Sequence, residues 1–289
     1  MAHQDSAAGS GTTATRMRRP NEGPAAVAAI PEPLLGPIAE AGAMAQLGCA
    51  VLWSAVRRPT GYWRAVLDEV YSVLKLCWFP LVLSVTAFGM MVAILGLNFV
   101  GLLGAYNRYG QYFFIVNIRE FSPWINSMVV AGIVGAALTA DLGARKVREE
   151  LDALEILGVD PVRELVLPRV LAATVMTSLL SVVSIMIGIV TGFLGSVLIG
   201  GVPPGEYLAT LFANLTTVEL WTSLVKSALF GLVIGVVCSY KGISSSGGSM
   251  GVGRAVNQAV VISFVLIFIV DFFFVTIMLG LTPELQTVR

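Results

Sequence analysis

Residues 170–205 read VLAATVMTSLLSVVSIMIGIVTGFLGSVLIGGVPPG, 36 residues without a charged side chain. A helix that crosses a membrane needs about 20 predominantly apolar residues, because the hydrocarbon layer offers no water to a peptide group. Three further charge-free runs, 76–107, 121–140 and 255–270, have the same character. The chain of 289 residues is 56% apolar and 12% charged, against about 25% charged in soluble domains. The pattern predicts an all-α membrane protein with five transmembrane helices, at about 76–100, 123–141, 165–199, 220–240 and 255–281. Pro123 opens the second span, and Pro168, Gly188, Gly192 and Gly195 are the weak points of the third. The connectors are then 101–122, 142–164, 200–219 and 241–254.

Ahead of the five-span domain (76–289), the chain changes character twice. Residues 1–33 are rich in Ala, Gly, Ser, Thr and Pro, with basic residues at Arg16, Arg18 and Arg19, and predict a disordered tail. In 34–75, apolar residues recur near helical spacing while Trp53, Tyr62 and Trp63 flank Arg57, Arg58 and Arg64. Amphipathic segments with tryptophan and arginine lie in the headgroup plane. Two interfacial amphipathic helices are expected, about 34–56 and 62–75, separated by Pro59 and Gly61.

Charge is concentrated just before the opening run. Residues 141–169, DLGARKVREELDALEILGVDPVRELVLPR, hold 12 of the 36 charged side chains. With the N-terminus in the cytoplasm, 14 of the 18 Lys and Arg fall on the cytoplasmic side. The positive-inside bias therefore puts the N-terminus and this connector in the cytoplasm and the C-terminus outside, in a plasma membrane. Ala144, Val147, Leu151 and Leu154 recur at helical spacing among charged residues, which predicts one amphipathic helix over 144–157. Gly158 is placed to end it in a left-handed conformation, and Asp160-Pro161 to start the next helix. Chemistry alone leaves a solvated surface helix and a docking helix equally open.

Several function classes are excluded by what the sequence lacks. The one histidine is His3, and the three cysteines, Cys49, Cys77 and Cys238, match no metal or redox spacing. No metal site is expected, and no G-x-x-x-x-G-K-[ST] phosphate loop occurs. The neutral formal charge gives no nucleic-acid footprint. Two ionisable residues fall inside spans, Lys226 and Asp271. Counting 1.5 Å per residue puts them about 9 and about 15 Å from the same membrane face, within reach of an ion pair. A proton relay is the alternative use of the two. Arg119 and Glu120 stand at the mouth of the second span, where an anchoring salt bridge is the plain reading. Gly188-x-x-x-Gly192 and Gly231-x-x-x-Gly235 permit close helix contact.

The central block AGIVGAALTADLGARKVREELDALEILGVDP, continued by LVLPRVLA, resembles the signature of the MlaE/YrbE permeases. These are membrane subunits of ATP-binding-cassette lipid transporters that work with MCE proteins. IREFSP at 118–123, GGSMGVGRAVNQAVV at 247–261 and VDFFFVTIMLG at 270–280 are similar to further motifs of that family. The resemblance covers roughly residues 60–281, and the central block looks closest to the A-type subunit of actinobacterial systems. One departure is Ile133, where many members carry Arg.

The resemblance implies an MlaE-like permease fold and a non-catalytic subunit that moves a lipid of the fatty acid, sterol or phospholipid class. It implies a heterodimer with a paralogous B-type permease beneath an MCE channel. It implies a separate cytoplasmic ABC ATPase dimer that uses ATP and Mg, so this chain needs no cofactor of its own. On that reading 144–157 is the coupling helix, with Glu149, Glu150, Asp152 and Leu154 against the ATPase and Arg145 and Arg148 pairing with acids on the ATPase or within the connector. Arg119 and Glu120 would stand at the mouth of a lipid pocket, with Phe88, Met91 and Leu97 along its apolar wall. The competing readings are an ion-coupled secondary transporter using Asp271 and Lys226, and a membrane anchor for an MCE assembly.

Overall fold

A computed structural model describes residues 32–57 and 61–282. Most of the expected tail, with His3 and the basic cluster at Arg16, Arg18 and Arg19, lies outside the described residues, as do Arg58, Pro59 and Arg289. The chain divides into two compact units, Met1–Ala43 and Met44–Arg289. In the first, the described residues are the opening turns of α1 (Glu32–Arg57). The second holds the rest of α1 and α2 (Trp63–Leu102), α3 (Tyr109–Val116), α4 (Ser122–Val130), α5 (Ala136–Val147), α6 (Glu150–Ile156), α7 (Leu167–Leu194), α8 (Pro204–Ala213), α9 (Thr217–Ile243) and α10 (Gly248–Leu281). No strand occurs among the described residues.

Among the described residues, six helical stretches are long and apolar enough to cross a membrane. Five contain the expected spans. The sixth, Ile38–Arg57, belongs to the segment expected to lie in the interface. The helices overrun the expected boundaries because charged flanks do not end a helix; only lost amides or strained backbone do. No break separates residues 62–75 from the first span: α2 is one helix of 40 residues. At 1.5 Å per residue it is about 60 Å long, twice the hydrocarbon thickness of about 30 Å, so part of it stands outside the apolar layer or tilts. The second span begins at Tyr106, well before Pro123, and runs to Val147. The connector 200–219 contains α8.

Four π-helical turns occur among the described residues: Asn117–Phe121 and Ala131–Gly135 interrupt the stretch Tyr106–Val147, Val162–Val166 opens the stretch that contains α7 and Gly195–Ile199 ends it. The last two lie beside the expected weak points: one precedes Pro168, whose ring nitrogen has no proton to donate, and one opens at Gly195. A π turn adds a residue without breaking the helix and often marks a functional segment.

The helices pack on two apolar clusters. The larger joins α2, α4, α5, α7, α9 and α10 through residues such as Leu81, Val130, Leu142, Val170, Phe230 and Ile267. The smaller gathers Leu97, Tyr109, Phe113, Ile185 and Tyr207 where α8 folds onto α3. Buried hydroxyls in it reach across helices: Tyr109 donates to the Ala93 carbonyl and Tyr207 to that of Ile189, each at 3.0 Å. Polar side chains of α4 and the first π turn also bind the α7 backbone. Asn117 Nδ2 donates to the Ile185 carbonyl at 3.1 Å and Asn126 Nδ2 to that of Thr177 at 2.6 Å. In lipid such bonds and close packing, rather than water exclusion, hold helices together.

Close packing has a specific requirement on α9. A Cβ on Gly231 would lie 2.6 Å from the Ala173 carbonyl oxygen and 2.8 Å from the Thr174 Cα. A Cβ on Gly235 would lie 3.0 Å from the Val170 Cα. These contacts are with backbone, which cannot rotate away. Gly231→Leu is therefore expected to destabilise the protein by about 1–3 kcal/mol or more. Gly253→Leu on α10, where nothing lies within 4 Å, should change stability by less than about 0.5 kcal/mol. Thermal unfolding of the two variants in detergent checks this.

Candidate functional site: an intramembrane charge cluster and a charged connector

The first π turn carries both members of the Arg119-Glu120 pair ten residues inside a helix that begins at Tyr109, not at its mouth. The two do not pair with each other. Arg119 points to α9, where its Nε lies 3.0 Å from both carboxylate oxygens of Glu219 and its Nη2 also contacts that carboxylate. Glu219 is positioned by the start of α9: its amide donates to the Thr216 hydroxyl at 3.4 Å, a helix cap. Glu120 accepts from Lys226 Nζ at 3.0 Å, and the same ammonium donates to the Arg119 carbonyl at 2.7 Å. Asp271 of α10 closes the group, 2.5 Å from Lys226 Nζ but off the line of a hydrogen bond.

The cluster therefore holds two cations and three carboxylates. Lys226 is 2% exposed and Glu219 7%, whereas Glu120 is 47% exposed. The pair expected from depth, Lys226 with Asp271, lies within contact distance. Glu219 and the Glu120 contact lie outside the pair expected from depth. By sequence Glu219 ends the connector 200–219; the spacing Thr216-x-x-Glu219 is the signal that it opens a helix.

Beside these charges is a cavity of about 270 Å³ between the first π turn, α9 and α10. Ile115, Val116, Phe274 and Met278 form its apolar wall; Arg119, Glu120, Glu219 and Lys226 form its charged side. An apolar volume beside a fixed charged group suits a molecule with a tail and a polar head. The expected wall residues are elsewhere. Leu97 is buried in the smaller apolar cluster, and Phe88 and Met91 project outward from α2, 44% and 48% exposed.

The connector folds as a hairpin, not as one helix over 144–157. α5 ends at Val147, and Glu149 takes φ +60° before α6 begins. A left-handed residue other than glycine costs about 1–2 kcal/mol. Ion pairs hold the hairpin closed: Arg148 Nε to Glu150 at 2.6 Å, Arg145 to the same carboxylate at 3.5 Å, and Lys146 Nζ to Asp152 at 2.7 Å. The hydrogen bond from Arg148 holds the Glu150 carboxyl below its usual range. Of the six expected docking residues, Arg145 and Arg148 pair within the connector, one of the two arrangements expected for them; Glu150 and Asp152 are their acceptors and that of Lys146, and Glu149 forms the bend. Leu154 is half-buried. The most exposed apolar residues are Ile156 at 86% and Leu157 at 76%, with Val147 and Val159 exposed to a lesser degree. The sequence signal for them was the pair Ile156-Leu157 ahead of Gly158, off the expected apolar stripe. Gly158 does take a left-handed conformation, φ +76°, and Asp160 accepts from the Val162 amide at 3.0 Å.

From the connector the pairs continue into the bundle. Arg145 contacts Asp141 at 3.1 Å; Asp141 also meets Arg169 of α7, which reaches Glu69 of α2 at 3.0 Å. Ile133 packs against the larger apolar cluster. Removing one partner of a buried charge group leaves the others uncompensated, at about 3–5 kcal/mol. Lys226→Met is expected to lose about that much stability, and Lys226→Met with Asp271→Asn to recover part of it; calorimetry or thermal unfolding in detergent measures both.

Comparison with known proteins bears on most of the chain. The profile described as Permease MlaE matches residues 66–277. The chain is 34% identical over 194 residues to a probable ABC transporter permease protein of Rickettsia typhi, covering 67% of this chain and 75% of that one. It is 34% identical over 198 residues to a probable ABC transporter permease protein of Synechocystis, covering 64% and 74%. It is 32% identical over 211 residues to the protein Trigalactosyldiacylglycerol 1, chloroplastic, of Arabidopsis thaliana, covering 73% and 60%. With its six long apolar helices, the chain belongs to the MlaE permease family, as the multi-pass membrane permease of an ABC transporter.

Proposed function

We propose that this permease moves a lipid across the plasma membrane, with the N-terminus and connector cytoplasmic and a separate ATPase seated on the connector. The observation that carries the lipid reading is the cavity beside the first π turn, an apolar wall with charged residues along one side. The Arabidopsis relative is named for a glycolipid built on diacylglycerol, which supports the same class. Fatty acids, phospholipids and sterols all present an apolar body and a polar end. Arg119 is held by Glu219, so an acidic headgroup would have to compete for it; Glu120 is the more exposed charged group.

The ATPase hydrolyses ATP with Mg, and this chain transmits the motion. Ile156, Leu157 and Val159 form the apolar tip that docks on it, and the ion-paired hairpin makes that tip stiff. Displacement of the tip passes through Arg145, Asp141 and Arg169 to α2 and α7. A B-type permease completes the dimer, and an MCE assembly receives or delivers the lipid on the outer side.

Two outcomes are expected. In a reconstituted complex, lipid should stimulate ATP hydrolysis; a flat ATPase rate across lipid additions would favour the anchor reading. Ile156→Asp with Leu157→Asp should lower ATPase co-purification at least about ten-fold, as loss of a central apolar contact does. Undiminished co-purification would move the docking surface elsewhere.

A further inference from the structure

A second cavity, of about 320 Å³, lies between α2, α5 and α7. Asp141 on its edge is 22 residues along the same helical stretch from Arg119. At 1.5 Å per residue that is about 33 Å, so the two cavities lie toward opposite ends of the bundle.

This cavity has an unmet need. Arg169 donates through Nε to Glu69 at 3.0 Å and through Nη2 to Asp141 at 2.5 Å. Its Nη1 is buried and has no hydrogen-bond partner among the described residues. A guanidinium stays charged at any physiological pH, so the Nη1 protons cannot be dispensed with. Both carboxylates are already engaged, and Arg145, also lining the cavity, is occupied by Asp141 and Glu150. What is missing is an acceptor on the Nη1 side. A water could supply one, but the walls favour something larger. Val73, Val134 and Leu138 are buried along one side, while Leu76 and Ala137 are exposed at the opening, on helices that cross the membrane. The opening therefore faces lipid.

We propose that this cavity binds the headgroup of an anionic lipid from the leaflet at the connector end, a phosphate or carboxylate oxygen accepting from Arg169 Nη1 and the tail leaving past Leu76 and Ala137. Guanidinium groups suit such oxyanions in geometry and charge. Because Arg169 also ties α2 and α5 to α7, occupancy of this site braces the network that leads to the connector. The site is separate from the cavity at the first π turn and does not depend on what that cavity carries.

The test is native mass spectrometry of the full chain in detergent, mixed with dioleoylphosphatidylglycerol, dioleoylphosphatidylcholine or inorganic phosphate. Wild type should retain phosphatidylglycerol over phosphatidylcholine. Ala137→Leu fills the opening without touching a charge, and Arg169→Lys keeps the charge but removes Nη1. Each should lower the retained phosphatidylglycerol about ten-fold, the effect of one charge-assisted hydrogen bond. Met278→Ala, in the other cavity, should leave this binding unchanged. Ala137 is exposed, so its variant folds even if Arg169→Lys does not. Equal retention by wild type and Ala137→Leu overturns the proposal. So does inorganic phosphate bound as tightly as the lipid, which assigns the site to the free ion.

Discussion

A peptide group in hydrocarbon must find its hydrogen bond within the chain. That constraint explains why the described residues are almost wholly helical and why the irregularities take the form they do. The long helices do not break where proline or glycine weakens them; they pass through π turns that keep the backbone bonded. The same constraint applies to side chains. Asn117 and Asn126 donate through their amide nitrogens, and Thr139 through its hydroxyl, to carbonyls of neighbouring helices. Lys226, 2% exposed, is surrounded by Glu120, Asp271 and a carbonyl oxygen.

Packing and electrostatics divide the labour along the bundle. In the middle, glycines of α9 let it lie against the backbone of α7, and the apolar cluster around Val170 and Phe230 fills the rest. Toward one end the charges of the first π turn join α9 and α10. Toward the other, Arg169 joins α2, α5 and α7. Each charged group meets elements that the apolar core alone would leave free to slide. An arrangement rigid in the middle and keyed by charge at both ends suits a subunit that must move as a body.

Much of this could be read from residues. The four charge-free runs mark four of the long apolar helices, because hydrocarbon thickness imposes a minimum length that few soluble segments meet. Counting residues from a membrane face brought Lys226 and Asp271 to similar depth, since helical rise is nearly constant. Gly158 and Asp160 announced the turn after the connector through their own backbone preferences. Other features left no such trace. Glu149 is a good helix former, so nothing in its chemistry signals a left-handed bend; the ion pairs of the residues on either side of it hold the bend. The π turn at Asn117–Phe121 has no sequence pattern, yet it is the segment from which Arg119 reaches Glu219 and Glu120 reaches Lys226. Phe88 and Met91 show the limit of composition, which names residues fit for a pocket but not which side of a helix faces one.

The bend at Glu149 decides where the connector carries its apolar tip. The segment from Ala136 to Ile156 is 21 residues with a single non-helical joint. If Glu149 returned to the right-handed region, α5 and α6 would fuse into one straight rod about 31 Å long. Ile156 and Leu157 would then swing from a folded-back position to the far tip. The backbone favours the straight form by about 1–2 kcal/mol, and the pairs of Glu150 and Asp152 favour the folded one. The pairs outweigh the backbone preference, so the place of the apolar tip is set by the charges of Glu150 and Asp152 rather than by the helix itself.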